Sequence, residues 1–164
     1  MMGVIGIDAD RQRLAVVRRV GDSTAHFTIE RFDARRDIHE SYTRSLGHLM
    51  TKAQGKAVVF LEDIYLPKKG NPMRDIDTYR VLANVQGEIL YEAKRHGVEV
   101  RRVPPIEWQK RVLGFCKDRE KIKAASAVEA RKMLNCWGLT EHESDAACIC
   151  LYGLWVLRNE ENVA

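Results

Sequence analysis

The sequence is poor in residues that break or staple a chain: it holds four prolines, eleven glycines and four cysteines in 164 residues. So few breakers exclude a collagen-like or low-complexity chain and leave room for long regular elements. The cysteines, Cys116, Cys136, Cys148 and Cys150, contain no CxxC pair and no paired spacing, so neither a disulfide framework nor a zinc site is expected. Cys148 and Cys150 fall in an apolar segment and are expected to behave as small core residues. No apolar run approaches the roughly 20 residues that a membrane-crossing helix needs. The opening MMGVIGIDAD has no basic stretch before its apolar residues and no small-residue cleavage site. It therefore reads as a strand rather than a signal peptide, and the expected location is the cytoplasm.

What is present suits one globular domain spanning residues 1–164. Hydrophobic residues make up 45% of the chain and charged ones 30%, and a domain of this size buries roughly 70% of its unfolded surface. The formal charge of +4 is too small to identify a partner, but it is unevenly spread. Residues 101–132 hold ten Lys or Arg against four Asp or Glu, whereas the last 32 residues hold one Arg against five acids. A basic region beside an acidic one can attract phosphates while holding divalent cations; a solvated helix face would account for the basic run equally well.

Residues 3–9 form a short apolar run, and Leu14 with Val16, then Ala25, Phe27 and Ile29, lie at strand spacing. The short connections at 10–13 and at Gly21–Asp22 predict an antiparallel meander. Ile38, Tyr42, Leu46, Leu49, Met50 and Ala53 then lie at helical spacing, and KAVVFLE at 56–62 reads as a buried central strand. A loop at 67–72 precedes a helical stripe of Leu82, Val85, Ile89 and Ala93 that Gly97 ends. VEVRRV is a short strand, Pro104 and Pro105 open a short helix around Trp108, and Asp118 is placed to cap a helix carrying Ile122, Ala125, Val128 and Met133. A last helix is expected from about His142 to Leu157. This order predicts a layered α/β domain with a mixed sheet.

Two of the strands end in acids, Asp8 and Glu62. Burying a lone carboxylate costs several kcal/mol, so acids at the ends of core strands usually bind something, and a cation is the simplest candidate. Asp145 precedes the apolar stretch AACICLYGLW, and His142 lies three residues before it on the same helical face. Oxygen donors with one imidazole favour Mg²⁺ or Mn²⁺, and two such ions can clamp an in-line phosphoryl displacement. The plainer readings are that Asp8 and Glu62 are solvated strand-end acids, that Asp63 is the buried one instead, and that His142 and Asp145 merely cap a helix.

Taken in order, GID at 6–8, LEDIY at 61–65 and HESDA at 142–146 resemble the three metal-site motifs of the RuvC family of Holliday-junction resolvases, within the RNase H-like superfamily. The resemblance runs from about Gly3 to Gly153 and includes the small residue Gly87 in YRVLANVQGEIL. It implies an RNase H-like fold whose five-stranded mixed sheet has three antiparallel strands followed by two parallel ones, flanked by helices. It implies a magnesium-dependent endonuclease that acts as a homodimer and resolves four-way DNA junctions by paired nicks. Asp8, Glu62, His142 and Asp145 would form the metal site, with two Mg²⁺ ions replaceable by Mn²⁺. Tyr65 would stack near the point of strand exchange, and Lys117, Arg119 and Lys121 in KDREKIK would contact phosphates. The chain departs from the family in having Asp10 where a Gly is usual and in its short GFCKD stretch; Asp10 points the same way as Asp8 on a strand and is a further candidate for the site. The competing readings are a YqgF-like nuclease acting on RNA and a junction-binding module that does not cleave.

Overall fold

The computed structural model describes residues 2–31, 38–64 and 72–163. Three strands follow one another, β1 (Gly3–Ala9), β2 (Arg13–Val20) and β3 (Ser23–Glu30), then helix α1 (Ile38–Ala53) and strand β4 (Ala57–Glu62). Helix α2 (Pro72–Arg95) leads to strand β5 (Val100–Val103) and to helices α3 (Pro105–Val112), α4 (Arg119–Leu134) and α5 (Glu141–Glu161). The strands form one sheet in the order β3-β2-β1-β4-β5. The β1–β2 and β2–β3 pairs are antiparallel, whereas β1–β4 and β4–β5 are parallel. This is the mixed sheet expected from the order of motifs, and helices cover both of its faces. Tyr65 and most of the 67–72 loop lie outside the described residues. No described helix is long and apolar enough to cross a membrane.

Each face of the sheet has its own core, and strand alternation sorts the residues between them. Ile5, Ile7, Val59 and Leu61 join α1 and α2 through Leu46, Met50, Val85 and Ile89. Val4, Val58 and Phe60 face the other way, towards Trp108, Ala146, Ile149 and Cys150. β1 and β4 are thus buried on both faces, which is why their sequences show no polar alternation. β3 is an outer strand, and only its Ile29 end reaches the core; Phe27, expected inside, is 39% exposed. Cys148 and Cys150 are buried and unpaired, as their apolar setting predicts.

Two helices differ from the sequence expectation. α4 buries Ser126 and Ala130, while Val128 is 46% exposed, so its inner face is turned relative to the apolar stripe. Towards the core on this face it presents Ser126 and Ala130, with Met133 and Leu134 packed beside them. Gly87 stands on an exposed part of α2, and a Cβ there would meet nothing within 4 Å, so packing does not require a small residue at that position.

Glycine is required where α5 crosses β1. A Cβ on Gly6 would fall inside contact distance of the Ala146 carbonyl oxygen and 2.5 Å from the Cys150 amide nitrogen. Both are backbone atoms of α5, so no side-chain rotation relieves the clash. Further along α5, a Cβ on Gly153 would meet Phe60 at 2.6 Å and Val4 at 2.7 Å. Gly6→Ala is expected to destabilise the fold by about 1–3 kcal/mol, the usual cost of overpacking, read as a lower midpoint in urea unfolding. An unchanged midpoint would show that α5 does not rest on β1 this closely.

Candidate active site

The contact between α5 and β1 brings the predicted residues together. Asp8 follows Gly6 by two residues and so projects from the same face of β1, towards α5. Glu62 follows Phe60 by two residues on β4, with the same consequence. The parallel register pairs Gly6 with Phe60 and Ile7 with Leu61, so Asp8 and Glu62 lie side by side at the ends of adjacent strands. On α5, His142 lies one turn before Ala146, and Asp145 immediately precedes it. A hollow of about 120 Å³ opens at these strand ends, lined by Asp8, Ala9, Glu62, Asp63, Ile64, Leu82 and Gln86.

The imidazole of His142 bridges two carboxylates. Nδ1 lies 2.5 Å from Oδ2 of Asp8, and Nε2 lies 3.3 Å from Oδ2 of Asp10. The hydrogen bond to Asp8, aided by the charges of both acids and opposed by burial, raises His142 from 6.5 to about 9. Asp10 is held in the β1–β2 turn, where it accepts from the Gln12 and Arg13 amides at 2.6 and 2.8 Å and from the Arg13 guanidinium. Burial works against ionisation of Asp10, but these donors outweigh it and keep the group below its ordinary value. Asp10 is therefore a turn residue that also reaches His142.

Glu62 and Asp145 each accept from a buried donor on a different helix. The Trp108 indole N–H on α3 donates to Oε2 of Glu62 at 3.0 Å, and the Ser126 hydroxyl on α4 donates to Oδ1 of Asp145 at 2.6 Å. Burial and then the neighbouring Asp8 charge nevertheless lift Glu62 to about 8. Burial, with Asp8 and Glu141 adding to it, lifts Asp145 to about 6 against the Ser126 hydrogen bond. The backbone of Glu62 is tied as well, since Gln86 on α2 donates to its carbonyl at 2.6 Å.

The plainer readings of these residues do not hold. α5 is capped by Thr140, whose side chain and Glu143 form a reciprocal capping box, so neither His142 nor Asp145 is needed as a cap. Asp63 accepts from the Ile64 amide and faces Arg102 across 3.7 Å, with a third of its side chain exposed; the strand-end acid facing α5 is Glu62.

The residues able to hold a divalent cation are thus Asp8, Glu62, Asp145 and His142. Among the described residues, no three His, Cys, Asp or Glu side chains are already drawn close enough to grip one ion. The donor set, hard oxygens with one imidazole, fits Mg²⁺ or Mn²⁺.

Lys117, Arg119 and Lys121 are exposed around the start of α4, which Asp118 caps by accepting from the Glu120 and Lys121 amides. Ser126 lies five residues beyond Lys121, about 8 Å along the helix axis, and touches Asp145. The basic segment therefore begins close to the carboxylates. Lys123, in the same motif, reaches Glu141 on α5 at 3.1 Å. Sequence reasoning did not assign roles to Trp108, Ser126 or Lys123. The available signals were a tryptophan amid charged neighbours and a serine inside the helix stripe.

The fold is of the RNase H-like class. Among solved structures, the chain is similar to RuvC of Thermus thermophilus in complex with a Holliday junction substrate, with a TM-score of 0.71 and 16% identity over 98% of this chain and 97% of that one. A second structure of Thermus thermophilus RuvC matches with a TM-score of 0.66 and 16% identity, over 97% of each chain. No protein-family model and no curated protein matches the sequence. At 16% identity the likeness establishes the architecture across nearly the whole chain.

The raised groups make the stability of the folded chain depend on pH. Asp145, Glu62 and His142 all bind a proton more tightly in the folded chain than in the unfolded one, so losing it favours unfolding. Their contributions are complete below 3.8, 4.5 and 6.5 and are lost as pH rises through about 6, 8 and 9 respectively. Asp10 and Glu143 are lowered and act in the opposite sense, but only towards acid, below 3.8 and 4.5. In EDTA the melting temperature is therefore expected to fall between about pH 5 and pH 9. A flat or rising profile would contradict these environments.

Proposed function

We propose that the chain is a divalent-metal-dependent endonuclease that resolves four-way DNA junctions. The observation that carries this is the meeting of Asp8, Glu62, His142 and Asp145 at two parallel strand ends and the start of α5, within a fold shared end to end with a protein solved on a Holliday junction. In this reading Asp8, Glu62, Asp145 and His142 would hold the cation or cations. Bound Mg²⁺ or Mn²⁺ supplies charge neutralisation at the scissile phosphate and activation of water for phosphodiester hydrolysis.

The chain's own groups do the rest. His142, hydrogen-bonded through Nδ1 to Asp8, would serve as a ligand or as a proton carrier. Lys117, Arg119 and Lys121 hold the backbone phosphates, which docks the duplex arms without reading sequence. Tyr65 is assigned to stacking at the strand-exchange point. A homodimer completes the reading, because a four-way junction is nearly two-fold symmetric and resolution needs two matched nicks.

Glu62→Gln and Asp145→Asn keep an acceptor for Trp108 and Ser126 but remove the charge a cation needs. Each is expected to lower the rate of junction cutting by at least about 100-fold, since loss even of a residue supporting a ligand commonly costs 10–100-fold. Junction affinity in a gel-shift assay should change little. Cutting at the wild-type rate in either variant would overturn the site.

A further inference from the structure

Two buried donors outside the proposed ligand set hold its carboxylates from behind. Trp108 is fully buried and Ser126 is 1% exposed, and they come from separate helices, α3 and α4. The indole N–H can only donate, and it takes Oε2 of Glu62. The Ser126 hydroxyl takes Oδ1 of Asp145 and also lies 3.5 Å from the Cys148 sulfur. Neither donor is placed there by packing alone. An aliphatic residue would serve the core at position 126, and a phenylalanine would fill much of the space at 108. A buried donor left without an acceptor is costly, so each donor favours the carboxylate rotamer that meets it.

The geometry points to Trp108 and Ser126 as positioning residues for divalent-cation binding: each fixes one carboxylate oxygen of Glu62 or Asp145 and leaves the other, Oε1 or Oδ2, outside that hydrogen bond. This rests on the metal reading given above. It accounts for how acids that repel one another stay in place before a cation arrives. Both are neutral, so they orient the carboxylates without competing for them as Lys or Arg would. The helix starting at Arg119 thereby links the basic segment to the ligand set, so that Asp145 is oriented by the element that carries Lys117, Arg119 and Lys121 near its start.

The test is the affinity of the full chain for Mn²⁺ alone, followed by the electron paramagnetic resonance signal of the free ion, in Trp108→Phe and Ser126→Ala. Ser126→Ala removes the hydroxyl alone, and Trp108→Phe removes the N–H together with part of the buried ring volume. Each is expected to weaken Mn²⁺ binding by about 10-fold, in line with residues that orient metal ligands. Cys148→Ala, which disturbs the same buried contact without touching Asp145, should lower the melting temperature and leave Mn²⁺ affinity unchanged. Wild-type affinity in both donor variants would overturn the proposal, as would an equal loss in Cys148→Ala, which would reduce the effect to packing. If the unaltered chain itself binds no Mn²⁺, the metal reading fails, and this proposal with it.

Discussion

The closeness of α5 to β1 is the constraint on which everything else depends. Gly6 lets the backbone of α5 at Ala146 and Cys150 lie directly on the strand. Because side chains alternate along a strand, the residue two beyond Gly6 faces the same helix, and that residue is Asp8. Because i and i+4 share a helix face, the residue one turn before Ala146 points back to Asp8, and that residue is His142. One glycine thus brings together an acid and an imidazole that are 134 residues apart in sequence. Gly153 does the same farther along α5 and keeps the helix flat against Val4 and Phe60, so the crossing angle is fixed at two points.

A second consequence is electrostatic. Placing Asp8, Glu62 and Asp145 at the end of a double-faced core concentrates negative charge where solvent screens it poorly. The result is visible in the protonation of the neighbours: Glu62 and Asp145 are driven up by burial, and His142 is driven up by Asp8. The site is anionic although the chain as a whole carries +4, and the basic excess lies next to it on α4 and the loop before it. In the proposed reading, the basic segment would attract the polyanion and a cation would offset the carboxylates.

Most of the fold was legible in the sequence because its signals are local. Apolar runs with little alternation mark β1 and β4, the GD turn marks the β2–β3 hairpin, and Asp118 marks the start of α4. The sheet order was legible only through the ordered motifs, since no local feature of KAVVFLE says that it pairs in parallel with β1. The carboxylate set was readable for a related reason: acids ending apolar strands are conspicuous, and HESDA opens an apolar helix. What escaped were features set by tertiary contact. Ser126 resembles any polar residue in a helix until Asp145 is seen 2.6 Å away, and Trp108 resembles an ordinary core aromatic until its N–H is followed to Glu62. Val128 and Phe27 follow the periodic pattern yet stand exposed, because periodicity gives a face and not what covers it. Gly87 matched a family feature that no contact here requires.

The most direct test of the account is cleavage of a labelled synthetic four-way junction with and without Mg²⁺, beside linear duplex DNA and an RNA–DNA hybrid. The account predicts paired, symmetric nicks in the junction, dependent on the metal, with the duplex and the hybrid left intact. Preferential cutting of the hybrid, or binding of the junction without cutting at any Mg²⁺ concentration, would contradict it.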